Sequence, residues 1–210
     1  MGKTEKSTKR IETEKIIDRH MYWAVGAGLI PIPIADIAAV TAIQLDMLKS
    51  ICDIYHIDYS KDTGKSWISA LAGSTLTKAL AKLGASAVKT IPVVGTAVGM
   101  TSMAILSGAS TYALGHVFVN HFEAGGTAST FNTEDIKKFY KEKLAEGKKK
   151  AREFKKKFKD KMKSKKGKEQ QKNITDKLME IQNLKSKNLI SEDEFNTMRN
   201  DLLKSFVDDK

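Results

Sequence analysis

From Ile11 onward the apolar residues Ile16, Ile17, Met21, Tyr22, Val25 and Leu29 recur at three- and four-residue steps, the spacing of one helix face. Pro31 and Pro33 break the pattern. A second helix is predicted from just after Pro33 to about Tyr55, carrying Ile37, Val40, Ile43, Leu45, Leu48, Ile51 and Ile54. Asp36 falls in its first turn, where negative charge suits the helix dipole. These two helices are expected to form a hairpin with the prolines at its tip. Tyr59 to Lys65 reads as a polar connector. An amphipathic helix follows over about Ser66 to Lys89, with Trp67, Leu71, Leu76, Leu80 and Leu83 set against Lys78, Lys82 and Lys89.

The stretch Thr90 to Phe122 holds no Asp, Glu, Lys or Arg across 33 residues. Pro92 cannot sit inside a helix, so the helix is expected to start there, with the proline in its first turn. Gly95, Gly99, Gly108 and Gly115 lie within it at about helical spacing. Small residues so placed let another backbone come close, and close packing is needed to offset the roughly 1 kcal/mol that each glycine costs a soluble helix. A helix apolar all round is buried in protein or in lipid, and both remain open on length alone. His116, Asn120 and His121 make its far end polar, as an interface would.

Charge then divides the chain. Lys137 to Lys168 holds 17 Lys/Arg against four acids (Glu142, Glu146, Glu153 and Asp160), a net of +13, and the remainder is close to neutral although the whole chain carries +11. Within this arm Ile136, Tyr140, Leu144, Ala151, Phe154, Phe158 and Met162 trace one helical stripe from about Thr133, and cations cover the rest. Lys163 to Lys172 reads as a charged linker. Asn173 to Phe206 reads as a helical hairpin: Leu178, Ile181 and Leu184 on its first helix, and Phe195, Met198, Leu202, Leu203 and Phe206 on its second. Ser191 with Glu194 three residues later is a capping-box start.

The expected fold class is therefore all-α, in keeping with 7% aromatic content and three prolines in 210 residues. Its expected parts are a disordered tail over 1–10, a helical core or membrane-associating domain over 11–126, a linker and basic helix over 127–172, and a C-terminal helical hairpin over 173–210. A single cysteine, Cys52, excludes a disulfide framework and a multi-cysteine metal site. It lies on a helix beside Ile51 and Ile54 and reads as a buried thiol. The first ten residues are charged and do not read as a secretory signal.

Catalytic chemistry finds no foothold. Thr63-Gly64-Lys65-Ser66 imitates the end of a phosphate loop, but Tyr59 stands where that motif needs glycine, and chance explains so short a fragment better. His116 and His121 are five apart rather than the four that set two metal ligands on one helix face. No nucleophile–base pair, metal set or cofactor motif is assigned, and the protein is expected not to be an enzyme. Gln44, if buried, must pair with another helix.

Two stretches resemble known families. Ala24 to Gly126 carries Pro31-Ile32-Pro33 with Asp36 and Gln44, then Ile91-Pro92-Val93-Val94-Gly95 with Gly99, then Thr111-Tyr112-Ala113-Leu114-Gly115, and so resembles the YcjF-type helical family of unknown function. That resemblance implies a membrane-associated bacterial module, often fused to or encoded with small GTP-binding domains, so any GTPase partner would be a separate protein. Residues 173–206, with Leu178, Leu184, Leu189-Ile190-Ser191-Glu192-Asp193-Glu194-Phe195 and Leu202-Leu203, resemble the SHOCT module, which implies oligomerisation or attachment. Asn188 stands where that module has its turn glycine.

The sharpest functional signal is the arm. Lys148, Lys149, Lys150, Arg152, Phe154, Lys155, Lys156, Lys157, Phe158 and Lys159 are expected to meet an anionic membrane surface, the phenylalanines entering the acyl boundary and the cations holding headgroups. Arginine is scarce there, which favours lipid or an acidic partner over nucleic acid. Leu178, Ile181, Leu184, Phe195 and Leu202 are expected to serve self-association or a protein partner. The expected function is a non-enzymatic scaffold or recruitment protein at the cytoplasmic face of the inner or plasma membrane. The alternatives are a cytoplasmic helical bundle that binds an acidic protein or nucleic acid through the arm and, less favoured, a pore-forming protein.

Overall fold

The computed structural model describes residues 3–29, 37–73, 92–127, 130 and 133–208. Regular structure among them is entirely helical: α1 Lys3–Ala27, α2 Ile37–Tyr55, α3 Lys61–Ile68 passing into a π-type turn Ser69–Gly73, α4 Pro92–Glu123, α5 Thr133–Met162, α6 Lys165–Ser186 and α7 Glu192–Asp208. The all-α expectation holds. The proline tip at Pro31 and Pro33, Asp36 and most of the helix expected over Ser66–Lys89 lie outside the described residues.

Several boundaries follow directly from local chemistry. Pro92 opens α4, where the N–H it lacks would have no intrahelical partner in any case. The Ser191 hydroxyl accepts the Glu194 N–H at 3.2 Å, and the Glu194 carboxylate accepts the Ser191 N–H at 2.8 Å, which completes the capping box. Asn188 takes φ 55°, the left-handed turn conformation that asparagine tolerates. Two boundaries differ from expectation. α1 begins at Lys3 and not after residue 10, where Lys9 pairs with Glu5 one turn earlier and Arg10 reaches Glu123 at the end of α4. α6 begins at Lys165, within the stretch that composition marks as linker, because Ser164 caps it by accepting the Gly167 N–H at 3.0 Å.

α1 lies at the centre, in contact with α2, α4, α5 and α7. The main core joins Ile17 and Met21 of α1, Met47 and Leu48 of α2, Trp67 of α3, Leu114 and Phe118 of α4, and Leu144 of α5. Every residue from Ser107 to Val119 is buried, so the uncharged helix is sheathed on all sides by other helices over this span. Over this span its hydrophobicity is satisfied within the chain, and among the described residues no helix is long and apolar enough to cross a membrane. His116, expected at a polar interface, is buried with this helix. His121 instead faces the carbonyl of Thr127 at 3.0 Å and closes the helix end.

Two glycines of α4 lie hard against α1. A Cβ at Gly115 would stand 2.5 Å from Ile17 Cγ1, and one at Gly108 would strike Val25, so α4 meets α1 at a distance only glycine permits. Gly95 and Gly99 fall in the helical span of α4 whose surroundings are not described. A third close contact lies between α4 and α5. Gly147, inside the lysine run, lets α5 approach the Ala109 backbone of α4, with its Cβ position 2.9 Å from Ala109 Cα.

A buried polar layer crosses the bundle. Gln44 of α2 donates from Nε2 to Thr111 Oγ1 at 3.2 Å and to Ser110 Oγ at 3.3 Å, and Ser110 continues to the Tyr140 hydroxyl at 3.1 Å. An unpartnered amide here would cost about 1–3 kcal/mol, so Gln44 fixes the register of α2, α4 and α5 together.

The C-terminal hairpin docks on the body. Trp23 Nε1 donates to Asp208 at 2.9 Å, Lys204 reaches Asp46 of α2 at 2.6 Å, and Phe158 of α5 meets Phe206 of α7 edge to face at 5.5 Å. Leu178, Ile181 and Phe195, expected to face a partner, are buried in this seam with Trp23 and Ala24. Much of the apolar face a free hairpin would offer is consumed inside the chain, while Met198 stays exposed. Leu184 and Leu202 are half-buried at its edge.

Candidate functional site

The residue pattern of α5 produces two unlike surfaces. At 100° per residue, Tyr140, Leu144, Gly147, Ala151, Phe154 and Phe158 share one face, and it is the face turned to the bundle. Tyr140, Leu144, Ala151 and Phe158 are buried there, while Phe154 is half-buried and stacks on Tyr22 of α1. The expectation that Phe154 and Phe158 enter a lipid boundary is thus corrected. Their apolar surface finds its low-water environment against α1 and α7.

The cations divide in three. Lys149, Arg152, Lys156, Lys157 and Lys159 are exposed and point to solvent. Lys148 and Lys155 are half-buried on the flank next to the apolar stripe, and burial together with the neighbouring Lys159 pushes the Lys155 ammonium below the usual lysine range. Lys150 turns inward. Its Nζ donates to Asp18 at 2.9 Å and lies 4.8 Å over the Tyr112 ring. Burial acts to lower its pKa, but the Asp18 carboxylate outweighs it and holds the ammonium above its ordinary value. Lys150 is therefore a strut between α5 and α1 and is not offered to a surface.

Carboxylates temper the outer face without cancelling it. Glu146 binds Lys143 at 2.8 Å and Asp160 binds Lys163 at 2.9 Å. Among the described residues, Lys149, Arg152, Lys156, Lys157 and Lys159 take part in no such pair. They face solvent together with Lys138 and Lys141 of the same helix.

Elsewhere the candidate chemistry is absorbed into structure. Cys52 is buried in the core, and burial, with Asp53 nearby, pushes its thiol up to about 12, far from a nucleophile's range. Gly64 sits within α3 against Leu45 and Tyr59, so Thr63–Ser66 forms helix rather than a phosphate-cradling loop. Asp46 accepts from both His20 and Lys204, and the His20 bond, ahead of Lys204, holds its carboxyl well below the usual range. Such an ion-paired carboxylate joins three helices.

Comparison with known proteins places this architecture. Residues 3–149 match a domain described as "Domain of unknown function (DUF697)". The chain is also 36% identical over 149 residues to "Magnetosome membrane protein 22" of Magnetospirillum gryphiswaldense, a match spanning 70% of this chain and 76% of that protein. No solved structure matches the chain. The family match covers α1 to the middle of α5. It ends before Lys150, so the most cationic half of α5 and the whole α6–α7 hairpin lie beyond it. The comparisons carry nothing for a SHOCT-type module over 173–206 or for a GTP-binding partner. With 147 of its 210 residues inside the matched span, the chain belongs to the DUF697 family of helical domains whose function is unknown.

Proposed function

We propose that the protein is a non-enzymatic helical scaffold that docks peripherally on an anionic membrane surface through the outer face of α5. One observation carries this reading: Lys149, Arg152, Lys156, Lys157 and Lys159 project from a helix whose apolar stripe is already buried. Each basic residue near an anionic surface contributes about 1 kcal/mol, so five supply roughly 5 kcal/mol. That is similar to a single myristoyl chain and gives reversible attachment. The similarity to a protein named for the magnetosome membrane supports a membrane setting. The cytoplasmic face of the inner or plasma membrane is the setting proposed, and holding a partner there the role.

The test is sedimentation of full-length protein with vesicles of phosphatidylcholine alone or of phosphatidylcholine mixed with phosphatidylglycerol, whose negative surface potential attracts basic segments. The reading expects binding to the anionic vesicles alone, release by about 0.5 M salt as screening shortens the electrostatic reach, and solubility without detergent. Absence of binding at low salt overturns it. Binding that survives high salt overturns the peripheral docking and points to insertion.

A further inference from the structure

Where the end of α5, the start of α6 and the end of α7 converge, the surface opens into a pocket of about 300 Å³. Its floor is apolar: Leu29, Phe158, Met162 and Phe206. Phe158 and Phe206 are only 7% and 9% exposed, and Leu29 and Met162 are half-buried beside them. Around it stand Lys155, Lys159, Lys163 and Lys168. Lys163 is paired with Asp160 at 2.9 Å, but among the described residues Lys155, Lys159 and Lys168 have no carboxylate partner. Among the described residues, no acidic side chain lines the pocket.

An apolar floor inside a ring of unneutralised ammonium groups is complementary to one kind of molecule, an anion with a hydrocarbon tail. An inorganic anion would leave the floor empty. Among the described lining residues, Gln171 alone offers a base edge both a donor and an acceptor. The volume lies at the lower end of ligand clefts, which suits a segment of acyl chain and not a whole diacyl lipid. We propose that this pocket binds the acyl chain of an anionic phospholipid, with the chain against Leu29, Phe158, Met162 and Phe206 and the phosphate among Lys155, Lys159 and Lys168. The inference rests on the membrane-surface reading and deepens it: the exposed cations find the surface, and the pocket selects one lipid from it. The depressed ammonium of Lys155, caused by burial and by Lys159, agrees with a site that lacks a counter-ion.

The test is calorimetric titration of full-length protein with monomeric lysophosphatidylglycerol below its micelle concentration, beside lysophosphatidylcholine of the same chain length and inorganic phosphate. Saturable binding of one lysophosphatidylglycerol per chain is expected, at least tenfold tighter than lysophosphatidylcholine and not displaced by phosphate. Met162→Trp, which fills the pocket, should weaken it at least tenfold, as should Lys155→Gln with Lys159→Gln, which leaves the volume alone. Lys187→Gln, on the exposed hairpin turn, should change nothing. No saturable binding, equal affinity for the choline lipid, displacement by phosphate, or indifference to the pocket variants while circular dichroism stays native overturns the pocket. Vesicle sedimentation separates the two readings. Vesicle binding without lysophospholipid binding removes the pocket and keeps the surface; lysophospholipid binding without vesicle binding does the reverse.

Discussion

Tyr22 of α1 and Phe154 of α5 lie ring on ring, with centroids 4.4 Å apart and planes within 18° of parallel. Offset aromatic stacking of this kind contributes about 0.5–1.5 kcal/mol beyond the area it buries. The contact decides what the basic helix can do, because an aromatic residue locked against α1 is not available to lipid. Phe154→Ala should therefore lower stability by about 3 kcal/mol, at the lower end for phenylalanine truncation since the ring is half-buried. Denaturant unfolding measures this, and sedimentation should show unchanged vesicle affinity for the folded variant. Lost affinity at unchanged stability would reverse the assignment of that face.

The opposite face should respond in the opposite way. Lys149→Gln, Arg152→Gln and Lys156→Gln combined remove three exposed charges. At about 1 kcal/mol each, affinity for anionic vesicles should fall roughly 100-fold. Surface changes of this kind seldom move stability by more than about 0.5 kcal/mol each, so thermal unfolding should barely shift. Equal affinity in wild type and triple variant would place the binding surface elsewhere.

Gly115 tests the close packing of α4 on α1. Valine there would drive a Cβ to within 2.5 Å of Ile17 Cγ1, and Ile17 is itself fully buried with no room to yield. Overpacking costs about 1–3 kcal/mol, which thermal unfolding would register as a loss of several degrees for a chain of this size. A neutral Gly115→Val would mean that the two helices are not in contact.

These positions show what the chain discloses before folding and what it withholds. Pro92, the Ser191–Glu194 box and Asn188 act within a few residues of themselves, so their outcome is legible locally. Gly108 and Gly115 announce close approach by their spacing. Gly147 hides in a lysine run where charge is the dominant signal, and its partner Ala109 lies far off in sequence. The α5 stripe is the instructive case. Periodicity establishes that Phe154 and Phe158 share a face, but it carries no information on whether that face meets lipid or protein. Tyr22 of α1 and Phe206 of α7, which periodicity places on two other helices, decide that. The same limit applies to Leu178, Ile181 and Phe195, whose apolar face reads as a partner surface until α1 covers it.

Asp46 ties α2 to both α1 and α7, at 3.2 Å from His20 Nε2 and 2.6 Å from Lys204 Nζ. Asp46→Ala should free the hairpin more than the bundle, because α7 loses Lys204's anchor while the main core is untouched. Amide exchange should speed up across Glu192–Asp208 well before it does in α4. The pH signature follows from the direction of its shift. The folded carboxyl is held below its ordinary value, so its stabilisation is complete above about pH 4 and declines as acid protonates it. Asp46→Asn should remove that acid-side decline. Uniform exchange throughout the chain would deny the anchor its local role.

His116 predicts a second and separable pH effect. Its imidazole is buried between α1 and α4, 4.2 Å from the Tyr112 ring and 3.6 Å from the Glu14 carboxylate. Burial first, then the cations Lys143 and Lys150, lower its pKa to about 4; Glu146 and Asp18 oppose them. In the unfolded chain it would titrate near 6.5. Between those values the unfolded chain binds a proton that the folded chain refuses, so stability is complete above about pH 6.5 and falls as pH drops toward 4. The linkage is on the order of 3 kcal/mol. Glu14 acts with the other sign: burial raises its pKa, so its cost when ionised is relieved as pH falls. His116→Gln should therefore flatten the stability profile between pH 6.5 and 4, and Glu14→Gln should steepen it. Urea unfolding at half-unit pH steps separates the two, and parallel profiles for wild type and His116→Gln would show that the ring is not held neutral inside the bundle.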